Sequence, residues 1–291
     1  MGPFEYFEPQ TVEEALSLLI KYGDRAKVIA GGTDLVPMMK QRTVKPEYII
    51  SLGLAGLNYV DIDSETALRI GALTTIRSLE QSQQLQSKYT VISQAASQLG
   101  SIAIRNVATV GGNLCNASPS AEMAPALMAL SATTRLVSLV GERIVPLEGF
   151  FTGPGTTVLK PDELMTEIQV PAPLPNTAGV YLKHSQRGGE DLAVAGVAAV
   201  LTMDSGNDIC TVARLVLGAV APTPMRAYNA EAVLKGKQIN DELIKEAAQI
   251  ASDESRPIDD IRSSAEYRKE MIKVFARDAI RQAAKLAKTA S

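Results

Sequence analysis

The sequence predicts an α+β fold in two domains, and three observations carry that expectation. The chain has 291 residues, about twice the usual domain length of roughly 150. A proline-rich break at residues 171–176 (Pro171, Pro173, Pro175) divides it. Beyond the break, apolar runs at strand spacing come first and helical spacing follows after Pro224, the order of an antiparallel sheet plus helices.

The elements follow in chain order. Thr11-Val12-Glu13-Glu14 has the capping-box pattern, and Val12, Ala15, Leu16 and Leu19 then recur at helical spacing up to Gly23. Residues 27–30 read as a short strand entering Gly31-Gly32-Thr33-Asp34, and residues 48–52 as another. A strand at 67–72, a helix at 76–84 and a helical apolar pattern at 91–99 come next. Residues 109–122 read as a loop rich in glycine and small polar residues, with a short helix at 123–130 behind it. Residues 135–140 and 143–147 flank Gly141 as a hairpin, and a strand at 164–170 stops at Pro171. Past the break, residues 180–185, 192–203 and 209–219 are strands, the last two joined by a turn at 204–208. Residues 264–288 place Tyr267, Met271, Val274, Phe275 and Ala279 on one face of a long amphipathic helix, with the charges from Arg268 to Lys288 as its solvated face.

Composition narrows the function. The chain is 46% hydrophobic and 21% charged, ordinary for a globular protein with a sizeable core. A net charge of -3, a pI of about 5.4 and no basic run argue against nucleic acid. An anionic ligand would have to be held by backbone N–H groups and helix ends rather than a lysine field. No stretch approaches the ~18 apolar residues of a membrane span. The first residues lack a basic start followed by an apolar core, so a cytoplasmic protein without a signal peptide is expected. Two cysteines, Cys115 and Cys210, cannot complete a four-cysteine iron–sulfur cluster or a structural zinc site. His184 is the single histidine and has no supporting motif, so it reads as a packed or hydrogen-bonded residue. Cys115 reads as a small space-filling residue, and Tyr181 as a core aromatic.

Two glycine-rich segments stand out. The first is Val28-Ile29-Ala30-Gly31-Gly32-Thr33-Asp34-Leu35-Val36-Pro37; the second runs Ala108-Thr109-Val110-Gly111-Gly112-Asn113-Leu114 and on through Asn116 and Ser118 to Glu122. Glycine lets a backbone approach a ligand closely, and successive free N–H groups make a hollow that suits a diphosphate. Asp34 and Glu122 could accept hydrogen bonds from sugar hydroxyls. A single Gly-Gly pair more often marks a tight turn, but two polar glycine segments in one half of a chain point to a ligand. Neither segment is a Rossmann or P-loop motif.

Both segments, in this order, resemble the paired FAD-binding motifs of the flavoprotein (medium) subunits of molybdenum hydroxylases, of the carbon monoxide dehydrogenase, xanthine dehydrogenase and aldehyde oxidoreductase type. Ala30 to Leu35 and Ile104 to Leu114 carry the resemblance; Phe4 to Pro9, Asn116, Ser118, Pro119, Glu122 and the stretch from Lys183 to Val194 continue it. It implies an FAD-binding domain over residues 1–177, in subdomains of about 1–53 and 54–177, followed by an α+β domain over 178–291. By resemblance, FAD lies extended between the subdomains. Residues 29–36 and 109–114, with Ala108 beside them, would hold the pyrophosphate and adjoining groups. Glu122 would bond a cofactor hydroxyl, Met165 would pack by the adenine, and Lys183 would lie near the cofactor. Leu99 stands where the xanthine enzymes carry an aromatic that stacks on the flavin, and residues 187–191 correspond to a loop that approaches the ring. Gly188-Gly189-Glu190-Asp191 departs from the acidic loop of those enzymes.

The resemblance implies an electron-transfer subunit with no catalytic or metal-binding residue of its own. Substrate would be oxidised at a molybdenum cofactor on a large subunit, and electrons would reach FAD through 2Fe–2S clusters on a small subunit before leaving to an external acceptor. The assembly expected is a dimer of heterotrimers. Two rivals stand beside this reading: a stand-alone FAD-dependent reductase of the same fold, and a non-enzymatic nucleotide-binding module. Flavin colour separates the second from the rest, and co-purifying metal subunits separate the first. Carbon monoxide, aldehydes, purines and N-heterocycles all remain open as substrates.

Overall fold

The computed structural model describes residues 2–62, 67–187, 190–206 and 208–289. Asn207 of the expected turn and Gly188-Gly189 of the expected flavin-facing loop lie outside the described residues.

The chain opens as a small parallel sheet. β1 (Glu5–Phe7), α1 (Val12–Tyr22), β2 (Ala26–Ile29), α2 (Leu35–Lys40) and β3 (Tyr48–Ser51) alternate, and the strands lie in the order β1-β3-β2. The start of α1 follows from its sequence. The Glu14 N–H donates to the Thr11 hydroxyl at 3.1 Å, and the Glu14 carboxylate reaches back to accept from the Gln10 N–H at 2.7 Å. Leu16 and Leu19 of α1 pack with Ile50 and Leu52, each such buried side chain contributing about 1.5–3 kcal/mol. β1 and α2 carry too little pattern to be read from sequence: β1 has three residues, and α2 has six with Pro37 in its first turn.

A five-stranded antiparallel sheet follows, with six short helices inserted between its second and third strands in sequence. The strands are β4 (Val60–Ile62), β5 (Ala67–Gly71), β6 (Thr133–Ser138), β7 (Gly141–Pro146) and, after the separate small hairpin β8 (Phe151–Gly153) and β9 (Thr156–Thr157), β10 (Leu164–Pro171). Their spatial order is β4-β5-β10-β6-β7. The inserted helices are α3 (Ile76–Gln81), α4 (Gln83–Lys88), α5 (Thr90–Ser97), α6 (Ile102–Arg105), α7 (Val110–Asn116) and α8 (Met123–Ala129). Ile70, Leu79, Ile92, Leu127 and Ile168 join strands and helices in one core. The expected hairpin around Gly141 is present, and β10 ends at Pro171.

The expectation of a loop over 109–122 is corrected by α7. Glycines depressed the helical reading, yet here they serve close packing. The Thr109 hydroxyl caps the helix by accepting from Gly112 N–H at 3.1 Å. A Cβ on Gly111 would sit 2.6 Å from the Ala72 carbonyl oxygen, so only glycine lets α7 lie against the end of β5.

After the proline-rich break, β11 (Thr177–His184), β12 (Ala195–Met203), β13 (Cys210–Gly218) and β14 (Met225–Arg226) form an antiparallel sheet in that order. α9 (Tyr228–Leu234), α10 (Asp241–Glu254) and α11 (Ala265–Ala287) cover one face. Every position of β12 is buried, because both faces of the sheet are covered. Val197, Ala199 and Leu201 pack toward the C-terminal helices, while Ala198 and Val200 join the core built on α5 and α8.

The buried face of α11 is Ile272, Ala276, Ala279, Ile280 and Ala283. Of the residues expected there, only Ala279 is fully buried; Met271, Val274 and Phe275 are half-buried, and Tyr267 is exposed. Small alanines let the helix approach the sheet, which turns the larger groups to its margin. Arg268 is likewise not on a solvated face. It is 1% exposed, donates to the Val194 and Ala219 carbonyls at 3.0 Å each, and pairs with Asp260 at 2.7 Å.

Candidate cofactor-binding site

The two glycine-rich segments meet. β2 ends at Ile29, the chain turns through Ala30 to Asp34, and α2 begins at Leu35. A Cβ on Gly31 would collide with the Val107 carbonyl, so the turn lies backbone to backbone against the second segment. Gly32 has φ +70°, a left-handed conformation that glycine adopts freely, and a Cβ there would sit 3.2 Å from side-chain carbons of Ile29 and Val36. Among the described residues, the N–H groups of Gly31, Gly32, Thr33 and Asp34 have no hydrogen-bond acceptor. Asp34 is exposed and makes no cap hydrogen bond to α2.

The second segment contributes differently from the expectation of free N–H groups. Val110 N–H donates to the Thr74 carbonyl at 3.0 Å, Gly111 N–H to Ala72 at 2.8 Å, and Asn113 N–H to Thr109 at 2.9 Å. With Gly112 engaged by the cap, this run of amides is already committed to holding α7 in place. What remains is side-chain chemistry. Asn113 Oδ1 is buried with no hydrogen-bond partner, and Asn116 and Ser118 are half-buried. The Ala108 carbonyl accepts from Ile76 N–H at 2.9 Å.

Several expected site residues support the site from beneath. Val110 and Leu114 are wholly buried in the core under α7. Met165 lies in the same core, its Sδ 4.0 Å from Cys115 Sγ, and burial pushes the Cys115 thiol up to about 12. His184 shares a hydrogen bond of 3.2 Å with the Tyr267 hydroxyl.

Between the turn that follows α5 and the end of β11 lies a cavity of about 450 Å³, lined by Gln98, Gly100, Ser101, Arg105, Lys183 and Glu190 among others. Leu99, in the turn that borders it, is buried. Lys183 on β11 donates to Glu122 at 2.8 Å and to the Gln98 carbonyl at 2.7 Å. Burial pushes the Glu122 carboxyl above its usual range against the pull of the Lys183 ammonium, and burial with the nearby Glu122 charge raises the Tyr181 phenol well above its own. Glu122 and Lys183, expected separately at the cofactor, thus form one buried ion pair between the two halves of the chain. Sequence reading gave no role to Arg105 or Gln98. Both stand beside named residues, but neither has a spacing that signals its partner.

The residues present fit a dinucleotide. The first turn offers unclaimed donors for a diphosphate, and Asn113 offers an unpartnered buried acceptor for a hydroxyl. Residues 2–173 match the FAD binding domain in molybdopterin dehydrogenase, and residues 180–283 match the CO dehydrogenase flavoprotein C-terminal domain. The glyceraldehyde dehydrogenase medium chain of Sulfolobus acidocaldarius is 37% identical over 97% of this chain and 98% of its own. The structure of a carbon monoxide dehydrogenase from Hydrogenophaga pseudoflava, in a form lacking the Mo-pyranopterin moiety of the molybdenum cofactor, is similar with a TM-score of 0.93 at 35% identity, covering 98% of both chains. Quinoline 2-oxidoreductase from Pseudomonas putida 86 gives a TM-score of 0.91 at 28% identity, covering 99% of both chains. This chain belongs to the family of FAD-binding medium subunits of molybdopterin dehydrogenases. It is the flavoprotein component of an oxidoreductase.

Two substitutions probe this site. Asn113→Ala removes an acceptor that no protein group uses, so FAD affinity should fall roughly tenfold, on the scale of one hydrogen bond, while the apo-protein loses no stability. FAD titration and thermal melting of the apo-protein check both halves. Lys183→Met strands the Glu122 carboxylate and should cost about 3–5 kcal/mol, most of which Glu122→Gln in the same chain should restore. Denaturant unfolding of the single and double variants measures this.

Proposed function

We propose that this chain is the FAD-carrying electron-transfer subunit of a heteromeric molybdenum hydroxylase. The observation that carries the reading is the run of unclaimed N–H groups from Gly31 to Asp34, held against Val107 and Ala108 where the second glycine segment begins. Bound FAD accepts and gives up electrons; the protein binds it, orients it and tunes its potential. Residues 29–36 hold the diphosphate, Asn113, Asn116 and Ser118 hold neighbouring polar groups, and Lys183, Glu122 and Leu99 belong to the environment of the flavin end.

The partners in this reading are a large subunit with the molybdenum cofactor, where substrate is oxidised, and a small subunit whose 2Fe–2S clusters pass electrons to FAD. Two heterotrimers pair in the cytoplasm, and an external acceptor takes the electrons. Relatives named as medium chains support the partners, since a medium chain implies others. Enzymes named for glyceraldehyde, carbon monoxide and quinoline each contain a chain similar to this one, which fits substrate choice made on another chain. The FAD-binding domain spans residues 1–177, with subdomains meeting near residue 53, and the α+β domain spans 178–291.

Purification with its neighbouring subunits tests the proposal. The expected complex is yellow, contains FAD at unit stoichiometry with this chain together with iron and molybdenum, and its flavin is bleached by substrate only when the metal subunits are present. A flavin-free protein, or an isolated chain that turns over substrate without partners, would contradict it.

A further inference from the structure

The turn joining α5 to α6 is gripped by two cations. Three consecutive carbonyls, those of Gln98, Leu99 and Gly100, all accept hydrogen bonds from buried cations. Lys183 Nζ donates to Gln98 at 2.7 Å, and Arg105 Nη1 donates to Leu99 at 3.1 Å and to Gly100 at 2.8 Å. Each cation has its own carboxylate: Lys183 has Glu122, and Arg105 has Glu80, which Arg105 Nε meets at 2.8 Å. The Arg105 side chain is 9% exposed.

Such a clamp fixes which polar groups the turn can show to a ligand. Its carbonyls are committed to cations, while the N–H groups of Gly100 and Ser101, two residues that line the cavity, have no acceptor among the described residues. Gly100 has φ +46°, and a Cβ there would sit 3.1 Å from Ile104 Cγ2, so the turn is confined to its shape. A turn of this kind gives hydrogen bonds and takes none. It suits a ligand edge rich in acceptor atoms, above all one that gains negative charge.

We propose that Arg105 is a positioning residue for the flavin: by engaging the Leu99 and Gly100 carbonyls it leaves the Gly100 and Ser101 N–H groups as donors to the acceptor edge of the ring, and so raises the reduction potential. The inference rests on the reading that the ring end of FAD occupies this cavity. Reduction adds electron density to the ring's acceptor atoms, so donors bind the reduced form more tightly than the oxidised form. Freeing either carbonyl places a competing acceptor in the turn and removes that preference.

The test is a redox titration of flavin in the intact complex, with visible spectra of the oxidised form and FAD rebinding by the stripped complex. Arg105→Met should lower the flavin potential by about 30 mV, the two-electron equivalent of a tenfold loss of preference for the reduced form. It should also change the shape of the visible bands and weaken FAD rebinding. Glu80→Gln keeps Arg105 but loosens its anchor, and should lower the potential by a smaller amount. Arg105→Lys should recover part of the loss. If Arg105→Met does not fold, the other two variants decide the matter. Folded variants with wild-type potential, spectrum and rebinding overturn the role of Arg105. A wild-type complex that binds no flavin overturns the function reading itself, a distinguishable outcome.

Discussion

At Gly31 the first turn presses against the Val107 carbonyl so closely that no side chain could come between them. That contact joins the small parallel sheet to the helical insertion of the larger antiparallel one. It holds the unclaimed N–H groups of residues 31–34 beside the segment that carries Asn113. The glycines on the two sides serve different ends. Gly31 and Gly32 allow close approach and a left-handed turn, whereas Gly111 lets α7 rest on Ala72. The donors therefore come from the first segment, and the second supplies the wall behind them.

A second constraint acts at the junction with the C-terminal sheet. Lys183 reaches from β11 to Glu122 ahead of α8 and to the Gln98 carbonyl behind α5, so one ammonium ties three parts of the chain together. Nearby, Ala219 N–H donates to the Pro119 carbonyl at 2.8 Å and Arg262 to the Ser120 hydroxyl at 3.3 Å. A buried ion pair adds little net stability over an apolar pair of the same shape, but breaking one member is costly. Its value here is registration: it fixes how the C-terminal sheet faces the end of α5.

Much of this architecture was legible in the sequence because local chemistry determined it. The Thr11 and Glu14 cap, the Gly141 hairpin and the Pro171 stop are all decided within a few residues. The α+β order and the two glycine-rich segments were legible for the same reason. Features set by tertiary packing were not. α7 was hidden because Gly111 answers to Ala72, far away in sequence. The buried face of α11 was misassigned because alanines fit the sheet more closely than the larger residues beside them. Arg105 showed nothing in the sequence of its bonds to Glu80, Leu99 and Gly100. The pairing of Glu122 with Lys183 was hidden because the partners are far apart in sequence and on different elements.

The most direct measurement is a structure of the protein with FAD bound. The account predicts phosphate oxygens within hydrogen-bonding distance of the Gly31–Asp34 amides, with Asn113 Oδ1 accepting from a cofactor hydroxyl. A diphosphate seated away from that turn, leaving those amides to solvent, would contradict it.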